Sequence, residues 1–214
     1  MVKKNGSSLS ALFLLILVNL IPLFGVLYLD WGVVTILVLY WMESVVIGYF
    51  GYKKIFKVTG NRPKKHFFGL LFGLLGPASY FLFNFIVFIL VDALFLVILL
   101  VIFLLQTPTS FIEYDLSFSY LIIGFIGFWI SHWYSYRSNF LGREEYLKYT
   151  PKSVTRAPYK RIWVMHAFII VAGGIMAWTW SLVSLLLVLV VLKIVADITL
   201  HLMEHNFYRN NKEQ

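Results

Sequence analysis

The sequence predicts an all-α, polytopic membrane bundle of six spans, and three observations carry that reading: an apolar composition, apolar blocks as long as a bilayer crossing, and basic residues gathered in alternate connections. Of 214 residues, 60% are hydrophobic and 13% charged, with a mean hydropathy of +0.82. An ordinary soluble domain has about 45 to 50% apolar and roughly 25% charged residues, so one water-soluble core cannot hide this excess. A helix needs about 20 apolar residues to cross ~30 Å of hydrocarbon at ~1.5 Å per residue, and the apolar blocks have that length.

The blocks predict spans at residues 9–29, 33–50, 67–90, 119–136, 162–180 and 182–203. The first follows Lys3 and Lys4 as a signal peptide would, but it exceeds the ~7 to 15 residues of a signal core and reads as a retained span. The stretch 93–106 is apolar yet short for a crossing, and Thr107-Pro108 ends any helix there.

Charge sets the parity. With six spans, Lys3 and Lys4, the group from Lys53 to Lys65, the group from Arg137 to Arg161, and Arg209 with Lys212 all fall on one side. Of the 18 Lys and Arg residues, only Lys193 is left inside a span. The opposite side carries Asp30, Asp92, Glu113 and Asp115. This is the positive-inside pattern, which puts both termini in the cytoplasm of a prokaryotic cell membrane. A crossing at 93–106 would destroy it, so that segment is read as a non-spanning re-entrant, interfacial or span-extending element on the outer side.

The net charge of +8 is thereby explained by topology, and the partner it implies is membrane lipid with anionic headgroups rather than nucleic acid. With no cysteine, disulfides, thiolate ligands and a catalytic thiol are excluded. No repeat divides the chain, and residues 1–214 read as one membrane domain. Small residues at Gly69 and Gly73, and at Gly173, Gly174 and Ala177, allow close helix approach.

Polar residues within spans are the functional signal. An ionisable group at mid-span costs ~2.5 to 3.5 kcal/mol on the insertion scale, so it needs a partner or a wet cavity. Lys193, Asp197 and His201 recur at four-residue intervals and share one helical face, with Lys193 and Asp197 placed to form an ion pair. Glu43, His132 and His166 come from other spans. Counted inward from the basic side, His132 and His166 lie ~6 Å deep, Asp197 ~9 Å, Glu43 ~10 Å and His201 ~3 Å. Asn19 and Asn84 fall nearer the middle and outer half.

Three chemistries suit that set. His132, His166, Asp197 and His201 are ligand types for Zn²⁺ or another divalent metal, with Glu43 as general base of an intramembrane hydrolase. Alternatively, Glu43, Lys193 and Asp197 exchange protons or bind an ion in a transporter. A third reading is a scaffold whose polar network only fixes helix register. Pro22 and Gly76-Pro77 are candidate helix breaks for the transport reading.

Four pieces carry a resemblance: Leu39-Tyr40-Trp41-Met42-Glu43; Ser131-His132 with Ser135-Tyr136 and Asn139; Pro158-Tyr159-Lys160-Arg161-Ile162 with His166; and Leu192-Lys193 with Asp197 and His201. Together they resemble an uncharacterised family of bacterial and archaeal multi-span membrane proteins. That resemblance implies an integral membrane fold and no particular activity. Where such relatives carry a His-Tyr-Gly segment and a later histidine in the third span, this chain has Gly76-Pro77 and Asn84.

Overall fold

The computed structural model describes residues 6–60, 77–106, 118–150, 152–160, 163–164, 167, 170–171, 188 and 190–200. Every regular element among the described residues is helical. They form α1 (Gly6–Tyr28), α2 (Val33–Gly60), α3 (Pro77–Gln106) and α4 (Phe118–Ser135). A π-helical turn (Tyr136–Leu141) and a 3-10 turn (Glu145–Leu147) follow α4. Residues 152–160 (α5) and 190–200 (α6) are helical as well.

Local chemistry explains where these helices begin and end. Pro22 lies inside α1 without ending it, as prolines often do in membrane helices. The exit from α1 is tight. The Leu29 and Trp31 N–H groups both donate to the Gly25 carbonyl at 3.0 Å, and Asp30 takes the left-handed conformation at φ 51°, which Asp tolerates better than most residues. Trp31 then lies flat on Gly25, where an added Cβ would fall 2.1 Å from the indole. At the start of α5, the Thr150 N–H donates to Ser153 Oγ at 2.9 Å and the Ser153 N–H to Thr150 Oγ1 at 3.1 Å. That reciprocal capping satisfies donors the helix itself cannot.

Three helices are long and apolar enough to cross a membrane: Ser10–Tyr28, Val34–Gly60 and Ala78–Ile98. Their burial separates their roles. In α2, 67% of the apolar window is buried, against 39% in α1 and 17% in α3. α2 is therefore the central post and α3 a peripheral one, apolar all round because most of its circumference faces outward.

Side-chain contacts set the directions. Trp41 Nε1 donates to the Ile89 carbonyl at 3.1 Å, and Gly48 and Gly51 face Phe85 and Phe81, so α2 and α3 are antiparallel. Leu39 meets Gly124 while Phe50 meets Trp129 and Tyr136, so α2 and α4 are parallel. Ser10 and Tyr134 share a hydrogen bond of 3.1 Å, which brings the start of α1 beside the end of α4. Pro158 on Gly51 and Tyr159 on Phe81 seat α5 at that same end. The basic residues on these elements, including Lys53, Lys54, Lys57, Arg137 and Lys152, thus share one end of the bundle, while Asp30 lies in the α1–α2 turn at the other.

The exterior is as apolar as the interior. On α1, Phe13, Leu17, Leu20, Phe24 and Leu27 form an exposed stripe at helical spacing; α3 exposes Phe83, Leu90, Leu94, Val101 and Leu105. Meanwhile Asn19, Glu43, Lys193 and Asp197 are buried. Soluble monomers rarely expose such continuous apolar surface, whereas lipid accepts it.

The structure extends the far end of the third predicted span past residue 90. Its described helix, Pro77–Gln106, continues without a break. The segment 93–106, read as a re-entrant, interfacial or span-extending element, is the continuation of that helix, the third of those alternatives. Asp92, expected at the outer boundary, accordingly lies within α3 at 4% exposure. The fifth predicted span falls largely outside the described residues, as do Gly69, Gly73, Gly173, Gly174 and Ala177.

Candidate functional site

α6 sends one long side chain into a space bounded by α1, α2 and α4. Lys193 is 2% exposed, and its Nζ donates to Asp197 Oδ2 at 2.6 Å and to Asn19 Oδ1 at 2.7 Å. Glu43 Oε2 lies 2.7 Å from the same Nζ, a close ion pair outside hydrogen-bond alignment. The pair Lys193–Asp197 expected from the four-residue spacing is thus formed, within one helix. Glu43 joins it from α2.

Aromatic faces complete the cage. The ammonium lies 4.9 Å from the Tyr40 ring centroid and 5.5 Å from that of Phe128, within the range of a cation–π attraction. Tyr40 precedes Glu43 by three residues and so shares its face of α2. Phe128, 1% exposed, comes from α4.

Asn19 is the member that depth counting missed. Counting along the chain puts it nearer the middle and outer half, and Lys193 lies one turn beyond Asp197 toward the bundle centre, ~6 Å along the axis. At that level α1 offers Asn19. The amide is oriented by its own backbone bond, Nδ2 donating to the Leu15 carbonyl at 3.0 Å, which leaves Oδ1 for the ammonium. A lone amide in an otherwise apolar helix was the sequence signal. Asn84, the other amide, is instead absorbed locally by the Tyr80 carbonyl at 2.8 Å.

On the basic side of this cluster, His132 approaches Glu43, Nε2 to Oε1 at 3.8 Å. Its ring also packs over Phe50, with centroids 6.3 Å apart and planes within 19°. His132 lines a cleft of about 50 Å³ open at the basic end, well above the ~10 to 15 Å³ that one water needs. Phe50 and Lys54 of α2, Ser135 of α4, Tyr149, and Pro158 of α5 are among its other walls. The π-helical turn immediately after Ser135 gives the chain the extra residue per turn that swings it from α4 across the mouth of α2.

Of the sequence-predicted site residues, the structure brings Glu43, Lys193, Asp197 and His132 together. His166 and His201 lie outside the described residues, so the four-ligand set His132, His166, Asp197 and His201 is represented by two of its members. Among the described residues, no three His, Asp or Glu side chains gather around one point. Glu43, the proposed general base, is held by the Lys193 ammonium. What the arrangement can do with its described residues is hold a cation between carboxylates and connect it, through Glu43 and His132, to an open cleft.

No curated protein and no solved structure is significantly similar to this chain. One family model does match, over residues 1–214, and that complete coverage places the protein in the family of unknown function DUF6498.

Proposed function

We propose that this protein is an integral membrane protein of the six-span, N-in and C-in type, and that Glu43, Lys193 and Asp197 form the proton-exchanging centre of a transport or proton pathway. One observation carries the reading: two carboxylates flank one ammonium in the bundle interior. If all three are ionised, one negative charge remains uncompensated. Burying it costs several kcal/mol even after relaxation, and one proton on a carboxylate or on nearby His132 removes the cost. A centre that needs one proton more than its fixed charges supply is suited to taking up and releasing that proton, with His132 between it and the cleft.

The ammonium also bears on the rival hydrolase. It takes up acceptor atoms of Glu43 and Asp197 that a metal ion or an attacking water would need, which makes a proton centre the better match to these side chains. Elemental analysis of purified protein separates the two: a stoichiometric metal would return the site to metal-centred chemistry.

The direct test is proton entry into liposomes carrying the purified protein and an internal pH dye, driven by a potassium diffusion potential. Wild type is expected to exceed empty liposomes. Glu43→Gln leaves Lys193 and Asp197 as a balanced pair, so the variant should fold and yet lower the rate by about tenfold or more. A wild-type rate equal to that of empty liposomes sinks the proposal.

Orientation has its own expected outcome. Reporter fusions after Lys57 and after Lys152 should report cytoplasm, and one within residues 109–115 the outer side. A cytoplasmic signal from 109–115 would mean that α3 does not deliver the chain to the opposite face.

A further inference from the structure

We propose that the cleft at the basic end is a binding site for a phosphate group, with Lys54 as its charged anchor. This goes beyond the proton-exchanging centre and does not rest on it. The residues that line it include Lys54, His132, Ser135 and Tyr149, and none of its lining residues is acidic. That is a donor-rich, acid-free set, the reverse of the acid-rich cluster one layer deeper. Lys54 forms no ion pair among the described residues; its ammonium lies 5.6 Å from the Phe140 ring centroid. A lysine so placed supplies a point charge for a tetrahedral oxyanion.

The walls specify more than charge. Phe50 and Pro158 are apolar, so the charged and polar members of the lining converge on a small anionic group. The close approach that makes the cleft depends on Gly51, where an added Cβ would fall 2.7 Å from Pro158 Cγ. The site is therefore formed between α2 and α5 by construction, unlike a scatter of surface lysines. Its position at the end of three apolar, membrane-length helices is the level of phospholipid headgroups. A phosphomonoester lipid headgroup and free inorganic phosphate share the chemistry that this site recognises.

The test uses full-length protein in phosphatidylcholine nanodiscs. One arm measures saturable binding of radiolabelled inorganic phosphate, and the other adds phosphatidic acid and counts retained lipid by native mass spectrometry. Saturable binding in the first arm identifies free phosphate, and binding confined to the second identifies a headgroup; either supports the site. Lys54→Gln should weaken whichever binding is seen by about tenfold or more, with Lys54→Arg retaining most of it. Lys53→Gln removes the same charge from an exposed neighbour and should leave affinity within about twofold. The proposal is overturned if neither arm saturates, if Lys54→Gln binds like wild type, or if Lys53→Gln loses as much as Lys54→Gln.

Discussion

Lys193→Met is expected to destabilise the protein by about 3 to 5 kcal/mol, the usual cost of removing one partner from a buried ion pair. The reason is arithmetic as much as contact. Methionine fills a similar volume, but it leaves the carboxylates of Glu43 and Asp197 facing each other across a space 2% exposed, and it strips Asn19 Oδ1 of its donor. Thermal unfolding in detergent should show the loss. Combining Lys193→Met with Glu43→Gln and Asp197→Asn removes every fixed charge and should recover most of it, because neutral amides need only hydrogen bonds. Equal melting of Lys193→Met and wild type would mean that the ammonium is solvated, and the cluster with it.

The second large effect is steric. Gly48 of α2 faces Phe85 of α3, and a Cβ added there would lie 1.9 Å from a ring carbon of a side chain only 5% exposed. Either the ring or the helix must move, so Gly48→Ala should cost about 1 to 3 kcal/mol. The sign is the informative part. Alanine is ordinarily the better helix former by ~1 kcal/mol, and at Gly60 an added Cβ meets nothing within 4 Å. Gly60→Ala should accordingly be neutral or mildly stabilising in the same melting assay. Should both variants behave alike, α2 and α3 are not packed through Gly48. Shortening the ring side chain, Phe85→Leu, should recover part of the Gly48→Ala loss, since the two positions share one contact.

How much of this was legible beforehand differs from element to element. The helical class follows from composition, because lipid leaves no other way to satisfy backbone groups for runs this apolar. The Lys193–Asp197 pair follows from spacing, because residues four apart on a helix are neighbours whatever surrounds them. The cost of ionisable groups within a span marks Glu43 and His132 as cluster members, and they meet at 3.8 Å.

Boundaries within continuous apolar sequence were not legible. Residues 77 to 106 contain no charge except Asp92, so hydropathy had no punctuation by which to place the span. The sequence places Asp92 on the side opposite the basic residues, but it lies buried within α3.

The sequence by itself determined that the chain is helical, that it holds apolar segments long enough to cross a membrane, and that Lys193 and Asp197 pair. Each of these depends on quantities local to one helix: apolar length, charge position and the 3.6-residue period. Only the tertiary structure decided that Asn19, Tyr40 and Phe128 complete the Lys193 cage, that α3 runs unbroken to Gln106, and that Lys54 and His132 share a cleft with α5. These depend on the rotation and axial offset of one helix against another. Those offsets are set by particular close approaches, Gly48 on Phe85 and Gly51 on Pro158, and a helix's own periodicity carries no information about which partner will fill the space beside its glycines.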